Sequence, residues 1–184
     1  MSGWFLLAGL GALALWALLV YNGLVQLRVR SDNAWSDIDV QLKRRHDLIP
    51  NVVEAVKGYA AHEQRVFQQV AEARSQAMQP GGPRERGTAE QALAGTLKSL
   101  FAVAEQYPQL RANENFLELQ RSLTEIEEAL QQARRYYNAV VRDYNTKLEV
   151  LPDRLIGAVA GFPHKPFFQL ESSAEAQTPR VSFS

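Results

Sequence analysis

The chain predicts an all-α protein: an N-terminal transmembrane helix followed by an elongated antiparallel helical bundle of three long helices and a short C-terminal one. Three observations carry this. No charged side chain occurs from Met1 to Leu27. Beyond that segment, apolar residues return every three or four positions, the period of a helix packed on one side. No stretch shows the alternation that a half-buried strand requires.

The first segment contains WFLLAGLGALALWALLVYNGLV, with Trp4, Trp16 and Tyr21 near its ends or flanks. A spanning helix needs about 20 apolar residues, so the segment is long enough to contact membrane lipid through residues 3–25. The competing reading is a cleaved signal peptide, which calls for a basic start, a shorter apolar run and a small-x-small site behind it. Here the Ala12-Leu13-Ala14 pattern falls inside the run, and Arg28 and Arg30 follow it. Residues 1–27 are therefore read as an anchor. Arg28, Arg30, Lys43, Arg44 and Arg45 all follow the span, which by the positive-inside rule puts the C-terminal bulk on the cytoplasmic side of the membrane and the N-terminus outside. Ala8 and Ala12 form a small-xxx-small pair that would let two spans approach.

Residues 28–171 are read as one water-facing domain, the default for a chain of 184 residues that gives one segment to lipid. Its first helix carries Trp35, Ile38, Leu42, Ile49, Val52, Val56, Tyr59, Val66 and Val70 on one stripe. Pro50 lacks an amide hydrogen and disfavours helical geometry at Ile49, which predicts a kink or short break. PGGPRERG, Pro80 to Gly87, reads as a loop. A second helix carries Leu93, Leu97, Phe101 and Ala104 and stops at Tyr107-Pro108.

The third helix has the most regular stripe: Phe116, Leu119, Leu123, Ile126, Leu130, Ala133, Tyr137, Val140 and Tyr144. Tyr137 and Tyr144 place large rings on the seam, and each hydroxyl then needs a partner. Asn138 and Asn145 fall one step off it. Asn inside a helix costs about 0.5 kcal/mol against Ala. Two readings are open: both side chains sit at a solvated margin, or they bond across to a neighbouring helix and fix its register. Residues 153–160 form a short apolar helix, followed by a strip in which Phe162, Phe167 and Phe168 either close the end of the bundle or touch the bilayer or a partner. Residues 172–184 read as a flexible tail.

Composition excludes several functions. Lys plus Arg and Asp plus Glu are 20 each, so no basic face for nucleic acid is expected. There is no Cys, which excludes disulfides and thiolate chemistry. His62-Glu63 begins an HExxH pattern, but Val66 stands where the second zinc-binding His belongs. No cofactor, metal site, small-molecule substrate or catalytic residue is expected. Two charges fall on the first stripe instead. Arg45 lies between Leu42 and Ile49, and Glu63 between Tyr59 and Val66. An unpaired buried charge costs several kcal/mol, so each needs a partner or a route to water. Arg45 either pairs across the bundle, with Glu125, Glu127 and Glu128 as counterions, or extends its stem to reach solvent.

Three stretches carry a resemblance: Tyr21 to Glu63, with QLKRRHDLIPN inside it; Tyr107 to Leu130; and Ala133 to Pro152. On these the chain resembles the LemA family of bacterial membrane proteins. The resemblance implies an N-terminal anchor and an elongated antiparallel bundle, and it implies no catalytic residues; a magnetosome-membrane branch and a loose association with envelope proteases are the family's functional hints. The expectation for function is a non-enzymatic membrane scaffold or adaptor that self-associates. The alternatives are an accessory subunit with a membrane-protein partner, such as a protease or envelope stress system, and a membrane-shaping oligomer.

Overall fold

A computed structural model describes residues 2–168. Among them there are six helices and no strand: α1 (Ser2–Lys57), α2 (Gln64–Ala77), α3 (Pro83–Ala104), α4 (Pro108–Arg111), α5 (Glu114–Glu149) and α6 (Asp153–Val159). The all-α class follows directly from the period of the sequence, and most residues of the apolar stripes become buried or half-buried on helix faces. The tail assigned to residues 172–184 lies outside the described residues.

Two compact units divide the chain. One contains the residues up to Lys43 together with Glu127–Phe167, the other Arg44–Ile126. In the first unit α1 and α5 run antiparallel, because Gly23 and Leu24 lie beside Lys147, Tyr144 and Leu148, whereas Trp35 packs against Tyr137 with the rings tilted by 56° and their centres 5.4 Å apart. Its core near α6 is Val20, Leu24, Tyr144 and Leu148. In the second unit α2 folds back along α1. Arg74 meets His46, and the Lys57 ammonium lies 5.8 Å from the centre of the Phe67 ring. The core here joins Ile49, Val52 and Val56 to Val70, Leu93 and Leu97, among others.

Three expectations about the elements are corrected. Pro50 does not break the helix, since α1 continues through it to Lys57. The interruption comes later, at Gly58 to Glu63, where the chain turns into α2; the stripe from Trp35 to Val70 is two helices rather than one. Tyr59 sits in that turn, 39% exposed, with its hydroxyl accepting from Asn113 Nδ2 at 3.4 Å. The expected loop from Pro80 to Gly87 is shorter, because α3 begins at Pro83. Proline is tolerated in the first turn of a helix, where its missing N–H has no intrahelical acceptor.

α1 is the one helix, among the described residues, long and apolar enough to cross a membrane. Its early side chains, Trp4, Phe5, Leu6, Leu10 and Leu13 among them, are exposed.

Candidate functional site

The buried polar chemistry gathers around QLKRRHDLIPN. Helical geometry turns Leu42, Arg45, Ile49 and Val52 to one face of α1, and His46 flanks that face. Arg45 and His46 are both buried, and both reach Glu90 of α3, itself only 2% exposed. Arg45 Nη1 donates to Glu90 Oε2 at 2.9 Å, and His46 Nε2 lies 2.7 Å from Glu90 Oε1. An ionised carboxylate only accepts, which assigns the hydrogen to Nε2. Both contacts are charge-assisted and hence among the stronger hydrogen bonds. Glu90 lies on α3, whereas the sequence points to the carboxylates of the third helix.

Arg74 of α2 completes the group by donating from Nε to the backbone oxygen of His46, 2.7 Å away. That oxygen is the acceptor four residues before Pro50, where an ordinary residue would supply an amide hydrogen. A proline inside a helix withholds that hydrogen, and Arg74 supplies a donor in its place. This is how α1 passes Pro50 without a break.

Glu90 had a sequence signal that would have found it. It precedes Leu93 and Leu97 on their own three-four stripe, so a helix through them buries a carboxylate. Arg74 had none, because its role depends on how α2 meets α1.

Chemically, the cluster holds helices together. Both Glu90 oxygens are engaged by buried cationic or N–H donors, which leaves the carboxylate poorly placed to take a proton from a substrate. Ser31, also buried, donates to the Arg28 carbonyl at 2.7 Å.

Tyr137, Tyr144 and Asn145 build a second arrangement, within the other unit. Tyr137 donates to the Pro166 carbonyl at 2.9 Å and Tyr144 to the Pro163 carbonyl at 3.0 Å. Asn145 makes both backbone bonds to Lys165, Nδ2 to its carbonyl at 2.9 Å and its amide to Oδ1 at 3.0 Å. Lys165 Nζ in turn pairs with the Asp32 carboxylate. The target is thus an extended segment, neither a neighbouring helix nor water. A segment with two prolines has few backbone donors of its own, and α5 supplies partners to its carbonyls. Burial, aided by Asp32, pushes the Tyr137 hydroxyl up to about 12. Burial also raises Tyr144, with Arg28 opposing and Asp32 reinforcing. Arg134 is lowered by burial, and Glu127 opposes this.

The remaining candidates are dispersed. Asn138 and Phe167 are half-buried, Pro50 is exposed and Phe168 is buried. Phe162 packs edge-on against Tyr21 at 5.6 Å, with the Arg28 guanidinium 5.4 Å from its ring centre. Glu63 stands in the turn before α2 with its side chain 37% exposed, so water solvates its charge. Its neighbour His62 has Nε2 2.9 Å from the Tyr107 hydroxyl. Among the described residues, no three His, Asp or Glu side chains converge as metal ligands.

Comparison with known proteins follows the same residues. The model of the LemA family matches residues 34–183. The chain is similar to magnetosome protein MamQ 2 of Paramagnetospirillum magneticum, with 24% identity over 191 residues, 90% of this chain and 70% of the relative. MamQ 1 of the same organism matches with the same values. Magnetosome protein MamQ of Magnetospirillum gryphiswaldense is 23% identical over 192 residues, 89% of this chain and 71% of the relative.

Proposed function

The chain belongs to the LemA family, and on that premise we propose that it is a non-enzymatic scaffold, anchored in the membrane by α1, that self-associates and presents its bundle on the cytoplasmic side. The observation that carries this is the use made of the buried polar groups. Ser31, Arg45, His46 and Glu90 bond to one another or to backbone within the fold. Polar residues spent on holding helices favour a shape-bearing protein over one that makes and breaks bonds.

Self-association is supported by the apolar face of α1, where Ala8 and Ala12 are exposed and spaced to let two helices approach closely. That the relatives are named for a structure, the magnetosome, rather than for a reaction favours an assembly role. The cations after the span support the cytoplasmic orientation.

Two differently tagged copies of the full chain, co-expressed and purified through one tag in mild detergent, test the reading. A scaffold retains the second tag. Recovery of one stoichiometric hetero-partner without the second tag would establish the accessory-subunit alternative instead.

A further inference from the structure

We propose that the segment from Leu151 to Phe162 is a re-entrant hairpin, its tip embedded in the hydrocarbon of the same leaflet that α1 enters from the bundle side. This rests on α1 crossing the bilayer and adds a second membrane-embedded element to the chain.

The first argument is one of level along α1. At the base, Lys147 lies against Gly23, close enough that a Cβ built there would stand 2.7 Å from its ammonium, and Lys147 Nζ is 3.8 Å from the Asp153 carboxylate that opens α6. From there α6 runs back along α1 toward its N-terminus. Gly157 faces the Leu24 side chain, and the end of α6 forms an open groove in which Ile156, Val159 and Ala160 face Ala14, Ala17 and Leu18. Tyr21 borders the same groove, and from Tyr21 to Ala14 the axis of α1 advances by about 10 Å at about 1.5 Å per residue. A span of about 20 residues ending near Gly23 puts Ala14 and Ala17 well inside the hydrocarbon layer. Whatever packs beside them is inside it too. After Gly161 the chain returns, with Phe162 on Tyr21 and Lys165 at Arg28 and Asp32.

The second argument is independent and concerns the backbone. In hydrocarbon every amide and carbonyl needs an internal partner. The turn at the tip supplies them for the Gly161 and Phe162 amides and for the Ala158 and Gly157 carbonyls. Gly161, at φ 69°, ends α6 in the left-handed region, Phe162 N–H bonds to the Gly157 carbonyl at 3.0 Å, and Gly161 N–H bonds to the Ala158 carbonyl at 3.3 Å. This pair of bonds closes the helix end through the chain itself.

Side chains follow the same division. Leu155 to Phe162, LIGAVAGF, contains no charge, whereas Asp153 and Arg154 stand at the base. Val159 is 90% exposed and Leu155 59%, comparable to Trp4 at 81% on the apolar face of α1. Lipid is the occupant that this continuity selects. Arg154 extends toward the headgroups.

Because the chain contains no Cys, single cysteines can be placed without removing any. Leu10→Cys, Leu155→Cys, Val159→Cys and Gln131→Cys, each in the full chain, would be labelled with an environment-sensitive fluorophore. The labelled proteins would be reconstituted in phosphatidylcholine and phosphatidylglycerol vesicles. All four positions are exposed in the single chain, so each variant retains its packing. The expected result is that labels at Val159 and Leu155 are quenched by lipids carrying a nitroxide on the acyl chain several-fold more than the label at Gln131, and are shielded from iodide like that at Leu10. Quenching of Val159 that tracks Gln131 overturns the proposal while leaving the span intact. Shielding from both quenchers overturns it in favour of a covering protein or second copy. If Leu10 also behaves like Gln131, the span itself fails, and the hairpin with it.

Discussion

Arg74 donates its Nε hydrogen to the carbonyl of His46 at 2.7 Å, the group that Pro50 deprives of its helical donor. The guanidinium and the proline are therefore energetically coupled, although they lie on different helices. Arg74→Met is expected to cost about 1.5–3 kcal/mol, the range for a hydrogen bond to a charged group. In a Pro50→Ala background the new amide takes over the carbonyl, and the cost should fall by at least about 0.5 kcal/mol. A double-mutant cycle read by denaturant unfolding in micelles checks this; strictly additive effects would remove the coupling.

In Glu90→Gln the one remaining oxygen can accept from Arg45 or from His46 but not from both, and the amide NH2 meets a buried donor in place of the other oxygen. Glu90→Gln should destabilise the protein by about 3–5 kcal/mol, the usual result of breaking a buried pair from one side. Replacing both partners, Arg45→Met with Glu90→Leu, should recover much of that loss. Thermal melts of the two variants beside the unaltered chain decide between a structural pair and a solvated one, for which Glu90→Gln would change stability by less than about 0.5 kcal/mol.

Asn145 holds Lys165 by two backbone bonds, so Asn145→Ala should cost about 1–3 kcal/mol. Asn145→Asp keeps the acceptor for the Lys165 amide but loses the donor to its carbonyl, and should fall between. Hydrogen exchange at the Lys165 amide is the direct readout: it should quicken in Asn145→Ala and stay slower in Asn145→Asp.

The Tyr137 hydroxyl titrates at about 12 in the folded chain, against about 10 for an ordinary tyrosine. The folded state thus holds its proton more tightly than the unfolded state. The stabilisation is fully present below pH of about 10 and is lost as pH rises toward about 12, for a total of about 2–3 kcal/mol. Between pH 8 and 11, Tyr137→Phe should lose about 1 kcal/mol less stability than the unaltered chain. Equal losses would mean that the hydroxyl is not held in its neutral form by the fold.

Much of this architecture was legible because burial writes a period into the sequence. The stripe from Phe116 to Tyr144 became the inner face of α5 with its spacing intact. What stayed hidden depends on contacts between segments far apart in the chain. Pro50 reads as a breaker until Arg74 arrives from another helix to satisfy His46. Asn145 looks like a helix residue of poor propensity until Lys165 folds back against it. Gly58 to Glu63 was obscured because Tyr59 and Val66 continue the apolar spacing across a turn. The charges at Arg45 and Glu63 looked alike in one dimension, yet one is buried against Glu90 and the other meets water at a helix start.

The proposal of a self-associating membrane scaffold is tested most directly by the polypeptide mass of the full chain in detergent, measured by size-exclusion chromatography with light scattering and corrected for bound detergent. A self-associating scaffold predicts a mass at least twice that of the 20.6 kDa chain, persisting on dilution. A mass of one chain at every concentration would contradict it.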